Sequence, residues 1–279
     1  MGTLFLVATP IGNLGDITYR AVQLLSQVKL IAAEDTRHTR KLLNHYGIHT
    51  RMLSYYEHNK LSRGEEILTA LESGDVALVS DAGTPALNDP GYELVQLAIR
   101  RGIPISPVPG PNAPLTGLIA SGLPTDSFLY LGYLPRKVNQ RRRLIQQIAN
   151  LPYTLVFLEA PHRLIGGLQS LLTGLGDREM TVARELTKIH EEFFRGKISV
   201  TLAYFSEHTP RGELVLIIAG CFDDEVWTEE RLSFEIQKRI ADDSPASQIA
   251  DEIASLSGCT PRVVYRRINQ LKSQREIRN

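Results

Sequence analysis

Cysteine and long apolar runs are both scarce in this 279-residue sequence, and its net charge is zero. Its two cysteines, Cys221 and Cys259, are too few for a disulfide framework or a zinc site and fit a reducing cytosol. No stretch reaches the roughly 18 consecutive apolar residues that indicate a membrane span. The first residues also lack the basic segment of a signal peptide. We therefore expect a cytoplasmic protein with no membrane segment.

Three signatures of common enzyme classes are missing as well. The sequence has no G-x-x-x-x-G-K-[ST] phosphate loop, no G-x-G-x-x-G after its first apolar run, and no G-x-S-x-G elbow. These absences argue against phosphate-loop NTPases, simple dinucleotide-binding folds and α/β-hydrolases. The seven histidines do not cluster at metal-ligand spacing, and we expect no metal.

What is present is a strand–helix alternation in the first part of the chain, which is typical of a mainly parallel sheet covered by helices. A strand flanked by prolines, at 104–107, suits a sheet edge. The other predicted strands are 3–8, 29–33 and 76–80, and the predicted helices are 18–27, 36–46 and 62–73.

Beyond residue 111, several predicted strands follow one another without a helix, so part of a second sheet should be antiparallel. The fold class is therefore α/β. We predict an N-terminal α/β domain at 1–111, a second α/β domain at 112–222 and a helical C-terminal region at 223–279, which has helix-turn-helix-like punctuation at 257–261. In the second domain the predicted strands are 128–132, 154–159, 181–183, 192–195 and 214–219, and the predicted helices are 139–149 and 162–173.

Loops rich in glycine and proline follow three predicted strands, at 9–16, 81–91 and 109–113. Ligands of open α/β sheets bind beyond the carboxyl ends of the strands, where such loops gather. Glycine lets a ligand approach the backbone, and proline fixes the shape of a loop. One such loop is ordinary turn chemistry, but three in one domain favour a preorganised pocket.

Charge is distributed unevenly despite the zero balance. Residues 127–158 contain no acid, and a second basic segment occupies 260–279. Such segments are compatible with contacts to RNA phosphates, and equally with solvated helix faces. Tyr130 and Tyr133 lie in the first segment, just before its basic residues, and could stack on bases or pack in a core. The basic residues predicted to bind RNA are Arg136, Lys137, Arg141, Arg142 and Arg143.

The loop sequences together resemble the tetrapyrrole methylase family, and more narrowly its ribosomal RNA branch, which methylates a ribose 2′-oxygen of 16S rRNA. The resemblance covers about residues 3–220, with order and spacing kept. The segments that carry it are TPIGNLGDIT at 9–18, EDTR at 34–37, SDAGTP at 80–85, DPG at 89–91, PGPNA at 109–113, EAPHR at 159–163 and ARELTK at 183–188.

The resemblance implies two α/β domains with S-adenosyl-L-methionine folded into the cleft between them, usually in a homodimer. Asp81-Ala82-Gly83 replaces the glycine-rich turn of small-molecule relatives, so Asp81 would contact either cofactor or substrate. Matched by motif, the cofactor-binding residues would be Pro10, Asp81, Ala82, Gly83, Asn112, Ala113, Glu159 and Leu186.

Methyl transfer to a ribose hydroxyl is an in-line displacement, in which orientation contributes up to ~7–11 kcal/mol in the best intramolecular cases. A 2′-hydroxyl is a weak acid, so a nearby base or cation could add about 10²–10⁴-fold. Glu34 and Asp35 could instead cap a helix, and Lys188 could form a structural ion pair. The polar candidates for catalysis are Glu34, Asp35, Arg37, Glu185 and Lys188.

The sequence thus predicts a methyltransferase that uses S-adenosyl-L-methionine to 2′-O-methylate a cytidine ribose in the decoding centre of 16S rRNA, in the small ribosomal subunit. One alternative is a methylase of a small tetrapyrrole-like substrate, which failure to bind structured RNA would favour. Another is a non-catalytic RNA-binding assembly protein, which RNA binding without cofactor binding would favour.

Overall fold

The computed structural model describes residues 1–221, 229–240, 245–257 and 259–276. Its contacts divide the chain into two compact units. The first comprises Met1–Ala149 and Tyr153–Ala219, and the second comprises Asn150–Pro152 together with the described residues from Gly220 onward. The boundary predicted near residue 111 separates the two sheets of the first unit, which form one compact body.

The first sheet is five-stranded and parallel, in the order β3-β2-β4-β1-β5. The parallel sheet predicted from the alternation is confirmed, and β5 lies at an edge as its prolines indicated. The strands are β1 at Leu4–Val7, β2 at Leu30–Ala33, β3 at Met52–Ser54, β4 at Val76–Val79 and β5 at Ile105–Val108.

Helices cover both faces of this sheet, because successive strand residues point to opposite sides. Leu4 packs with Ile67 and Leu94 on one face, whereas Val7 packs with Leu25 on the other. Four helices belong to this layer: α1 at Tyr19–Gln27, α2 at Thr36–His45, α3 at Lys60–Leu71 and α4 at Tyr92–Arg100.

The second sheet is mixed, in the order β6-β7-β10-β8-β9. Only the β6–β7 pair is parallel, so the predicted antiparallel part is confirmed. Its strands are β6 at Phe128–Tyr133, β7 at Thr154–Glu159, β8 at Glu179–Arg184, β9 at Glu192–Lys197 and β10 at Leu214–Ile218. Its helices are α5 at Ala113–Ile119, α6 at Val138–Ile148, α7 at Leu164–Leu175 and α8 at Ile198–Glu207.

The second unit contains three helices in its described part: α9 at Glu229–Ile240, α10 at Ala246–Ser257 and α11 at Pro261–Glu276. Ile236 and Ile253 are fully buried in its small apolar core. α11 begins at Pro261, the last residue of the punctuation predicted at 257–261. Of the predicted helical region, residues 223–228, 241–244, 258 and 277–279 lie outside the described residues. Among the described helices, none has the length and apolar character to cross a membrane.

Candidate functional site

A cleft of about 320 Å³ opens in the first unit, at the carboxyl ends of β2, β4 and β7. Its volume lies in the range of small-molecule sites. Apolar side chains form much of the wall and include Ile11, Leu158, Leu186, Leu214 and Val215. The cleft therefore offers a partly apolar chamber surrounded by the polar ends of several loops.

Hydrogen bonds join the three glycine- and proline-rich loops. Thr9 and Gly83 exchange two backbone bonds, with N···O distances of 2.8 and 3.0 Å. Gly83 has φ of 81°, a left-handed conformation that favours glycine. Thr84 Oγ1 donates to the Pro111 carbonyl at 3.2 Å and accepts from Asn112 Nδ2 at 3.2 Å. The predicted gathering of these loops is thus present in the structure.

Most residues matched to the cofactor line this cleft. Pro10 is the exception: it does not line the cleft, whereas its neighbour Ile11 does and packs against Leu186. The Asn112 side chain caps α5 by accepting from Leu115 N at 3.0 Å, so it organises the loop. The predicted residues that line the cleft are Asp81, Ala82, Gly83, Asn112, Ala113, Glu159 and Leu186.

The charged lining of the cleft is acidic. Among the described residues that form its wall, none is lysine or arginine. Such a wall attracts cations and repels phosphate groups, since charge interactions strengthen away from bulk water. Its five carboxyl groups belong to Glu34, Asp81, Asp89, Glu159 and Glu213.

Burial and mutual repulsion shift two of these carboxyl groups. Burial raises the pKa of Asp89 to about 6, and the negative charges of Glu34 and Asp81 add to the rise. The pKa of Glu34 is also raised, mainly by burial, although the Asp81 backbone N–H opposes this by donating to Glu34 Oε2 at 3.4 Å. Asp89 therefore holds its proton at a pH well above that of an ordinary aspartic acid.

Glu159 ends β7 and closes the cleft from the second sheet. It is only 2% exposed, and its Oε1 accepts from Ala160 N at 2.9 Å and lies 3.2 Å from Arg163 Nε. Its Oε2 has no hydrogen-bond partner in the part of the chain that the structure describes. Burial raises the pKa of this carboxyl group, whereas the neighbouring Arg163 lowers it.

The sequence profile of the Tetrapyrrole (Corrin/Porphyrin) Methylases matches residues 3–201, well over half of the chain. The chain belongs to the tetrapyrrole methylase family. Its assignment from the loop motifs is confirmed.

Curated relatives of this tetrapyrrole methylase carry the name ribosomal RNA small subunit methyltransferase I. The protein from Synechocystis sp. is 48% identical over 269 residues, which is 95% of this chain and 96% of the relative. The protein from Halalkalibacterium halodurans is 46% identical over 270 residues, which is 95% of this chain and 93% of the relative.

Solved structures show the same fold at low sequence identity. Diphthine synthase superposes with a TM-score of 0.60 at 11% identity, over 78% of this chain and 90% of that one. Uroporphyrin-III C-methyltransferase from Thermus thermophilus, in complex with S-adenosyl homocysteine, superposes with a TM-score of 0.55 at 20% identity. The match covers 77% of this chain and 97% of that one. These likenesses establish the fold of a tetrapyrrole methylase, with both α/β sheets.

Of the five candidates for catalysis in this tetrapyrrole methylase, only Glu34 lines the cleft. Asp35 is the N-cap of α2, where it accepts from Arg37 N at 2.8 Å and pairs with the Arg37 guanidinium at 2.7 Å. That pairing lowers the pKa of Asp35 and leaves Arg37 90% exposed. Helix capping, the alternative reading of Asp35, is what the structure shows.

Glu185 and Lys188 form an ion pair outside the cleft wall. Lys188 Nζ lies 2.9 Å from Glu185 Oε1 and 3.3 Å from Glu213 Oε2. Although burial opposes both shifts, this pairing lowers the pKa of Glu185 and raises that of Lys188. The two residues hold the loop after β8, and ion pairing was the alternative reading of Lys188.

Asp89 was not among the catalytic candidates. Nothing in the sequence shows that the turn after β4 brings its carboxyl group into a partly buried position near those of Glu34 and Asp81. Its only sequence signal was its place in the DPG motif at 89–91. Within the described ranges, no group of three His, Cys, Asp or Glu is arranged to hold a metal ion.

The basic residues predicted to bind RNA do not form one surface. Arg136, Lys137, Arg142 and Arg143 are exposed, but Arg141 is only 9% exposed. Arg141 Nε donates to Ser170 Oγ of α7 at 2.9 Å, so Arg141 also joins α6 to α7. The reading of the whole segment as a solvated helix face is wrong for Arg141.

Proposed function

We propose that this chain is a methyltransferase that uses S-adenosyl-L-methionine to 2′-O-methylate a cytidine ribose in the decoding centre of 16S rRNA. The structural observation that carries the proposal is the acid-lined cleft at the joined loops. The RNA acceptor is supported by relatives of nearly full length that are named for small-subunit rRNA. A homodimer and a cytoplasmic location belong to the same proposal and rest on the family resemblance.

The cleft fits S-adenosyl-L-methionine by charge and by shape. The cofactor carries a sulfonium and an ammonium group, and the wall offers five carboxyl groups and no lysine or arginine among its described residues. Ile11 and Leu186 supply apolar contact for an adenine ring. The backbone of Asp81-Ala82-Gly83 and the Asn112-Ala113 turn would hold the remaining parts of the cofactor, its ribose and its methionine end. Gly83 and the Thr84–Pro111 hydrogen bond fix both loops in place.

When bound, the cofactor supplies an activated methyl group and a good leaving group. The protein then has to orient the ribose and to accept the proton of its 2′-hydroxyl. We assign proton acceptance to Asp89, because it lines the cleft and its pKa of about 6 leaves it ionised yet basic at neutral pH. The second candidate is Glu34, because burial raises its pKa as well and no cationic side chain contributes to that shift.

Two tyrosines on β6 suit recognition of the nucleotide. Tyr130 OH donates to Asn88 Oδ1 at 2.6 Å, and burial raises its pKa to about 12, so it remains a hydrogen-bond donor. Tyr133 lines the same cleft but is 51% exposed. An exposed ring at a cleft wall is a platform on which an extruded base can stack.

The test combines cofactor binding with methyl transfer. Calorimetry measures binding of S-adenosyl-L-methionine by the wild type and by Asp81→Ala, and radiolabelled methyl transfer is followed to small ribosomal subunits that lack their modifications. We expect label on the RNA, and weaker cofactor binding in Asp81→Ala. Transfer to a porphyrinoid precursor instead of RNA would favour the small-molecule alternative. RNA binding without cofactor binding would favour the non-catalytic one.

A further inference from the structure

We propose that a groove next to the cleft binds a phosphodiester group of the RNA substrate. The groove, here called the arginine groove, is lined by Arg136, Arg141, His162, Arg163 and Gly166 and has a volume of about 440 Å³. The inference rests on the proposed function, because it assumes an RNA acceptor. It adds to that function a site for the negative charge that the acidic cleft itself would repel.

Arg141 is the residue of the groove that most favours the binding of an anion. Its side chain is buried, its Nε bonds to Ser170, and its Nη1 lies 3.5 Å from the Pro135 carbonyl. No carboxylate lies within ion-pair distance of Arg141 in the described part of the chain. The charge of Arg141 acts on Glu159, but Glu159 is directly paired with Arg163. A buried charge without a directly paired counter-ion is costly, and a bound phosphate would supply that counter-ion.

The other groove residues add positive charge around an open space. Arg163 is mostly buried and donates to the Leu134 carbonyl, which fixes its guanidinium, and Arg136 is exposed at the rim. Gly166 leaves the groove open, because even an added Cβ would lie 3.9 Å from Arg141 Nη2. Three guanidinium groups thus line the groove, and two of them, those of Arg141 and Arg163, interact with the carboxylate of Glu159. Planar guanidinium groups match phosphate oxygens in pairs.

The groove and the cleft meet at one short turn. Ala160 and Pro161 line the cleft, and the next two residues, His162 and Arg163, line the arginine groove. A ribose held in the cleft would therefore have an adjacent backbone phosphate within reach of the groove. The two ligands of opposite charge would then occupy different surfaces. The cationic cofactor would lie at the carboxylates of the cleft, and the anionic RNA backbone would lie at the arginines of the groove.

The experiment compares Arg136→Ala with Arg100→Ala, a matched control that removes an exposed arginine at the end of α4, outside both the groove and the cleft. Binding of unmodified small ribosomal subunits is measured over a range of KCl concentrations, and cofactor binding is measured by calorimetry. We expect Arg136→Ala to weaken subunit binding about tenfold, as for loss of a charged hydrogen bond. The slope of log K against log salt should fall by about 0.7–0.9, which corresponds to one phosphate contact.

Arg100→Ala should change subunit binding by less than about twofold, and cofactor binding should be the same in all three proteins. Equal losses in the two variants would indicate diffuse attraction and overturn the groove assignment, as would no loss in Arg136→Ala. Failure of the proposed function would be seen in the wild-type protein and not in the variants. Wild-type protein that binds the cofactor but neither binds nor methylates the subunit would refute both proposals.

Discussion

Arg163 lies four residues after Glu159, the last residue of β7, and forms an ion pair with it, with 3.2 Å between Nε and Oε1. The Glu159 side chain is fully buried, and that of Arg163 is 17% exposed. Glu159 lines the cleft, whereas Arg163 lines the arginine groove. A single ion pair therefore stands between the acidic and the basic surfaces of the site.

Removal of Arg163 should destabilise the protein in a pH-dependent way. Arg163→Ala leaves a buried carboxylate without its partner, which typically costs about 3 kcal/mol in the free energy of unfolding. The loss should shrink as the pH falls from 7 to 5, because the raised pKa of Glu159 means that the folded state takes up a proton before the unfolded state does. Urea denaturation at both pH values measures this.

The double variant Arg163→Ala with Glu159→Gln is the control for that experiment. A neutral amide removes the buried charge, so we expect it to recover more than half of the lost stability at pH 7. An equal loss at pH 5 and 7, without recovery in the double variant, would show that lost packing and not the ion pair causes the change.

Asp89 should determine the acid limb of the pH–rate profile. Below pH of about 6 the carboxyl group of the free enzyme is protonated and cannot accept the ribose proton, so kcat/KM should fall as the pH decreases through that value. Asp89→Asn should lower kcat by about 10²–10⁴-fold and remove the acid limb. Cofactor affinity, measured by calorimetry, should fall far less than kcat, because four of the five cleft carboxyl groups remain. If Glu34→Gln removes the limb and Asp89→Asn retains it, Glu34 is the base.

The same substitution should stabilise the fold. Because the folded-state pKa of Asp89 lies above its ordinary value of 3.8, the ionised group costs stability as the pH rises from about 4 to about 6. Asp89→Asn should therefore raise the free energy of unfolding at pH 7 by about 1 kcal/mol, since solvent screening reduces the full effect. At pH 3 the gain should vanish. Thermal unfolding at the two pH values tests this, and a lower Tm at pH 7 would contradict it.

Tyr133 should contribute to RNA binding through its ring. Tyr133→Ala should weaken subunit binding by about 1–3 kcal/mol, the usual value of one base–aromatic stack, whereas Tyr133→Phe should retain it. Since Tyr133 is half exposed, the Tm of both variants should stay close to that of the wild type. Comparable weakening in the phenylalanine variant would assign the effect to the hydroxyl group instead.

Gly132 should be required where β6 meets the loop after β4. It has φ of 63°, and an added Cβ would lie 2.5 Å from Asn88 Nδ2, which would displace the partner of the Tyr130 hydroxyl. Gly132→Ala should cost about 2 kcal/mol of stability and lower methyl transfer. Gly102→Ala is the matched control, because Gly102 has φ of 65° but open space around it. Similar effects of both on activity would refute the role of the Asn88 contact.

Periodicity and turn residues predicted most of the strands and several helices, but not β3, α4, α5 or α8. Two of these omissions have a physical explanation. β3 contains only three residues, of which Leu53 alone is buried, so it shows no alternation. α8 was not predicted, because its β-branched and aromatic residues have low helix propensity and it is held instead by packing. Such tertiary effects are not visible in a short sequence window.

The site was predictable as a set of loops but not as chemistry. Seven of the eight residues matched to the cofactor line the cleft, because motif spacing reflects the backbone path. The roles of Asp89 and Arg141 depend on burial by segments that are distant in sequence. Glu34 and Asp81 lie near Asp89, and α7 covers Arg141. Adjacent arginines look alike in sequence, and only packing separates Arg141 from Arg142.

The most direct test of the central claim is to map the transferred methyl group. Small ribosomal subunits without their modifications are incubated with the wild-type protein and labelled S-adenosyl-L-methionine, and the RNA is digested and analysed by mass spectrometry. We predict one labelled nucleoside, a 2′-O-methylcytidine from the decoding centre, with strongly reduced labelling by Asp89→Asn. Label on a base, on another region of the RNA or on no RNA at all, from protein that binds the cofactor, would contradict the account.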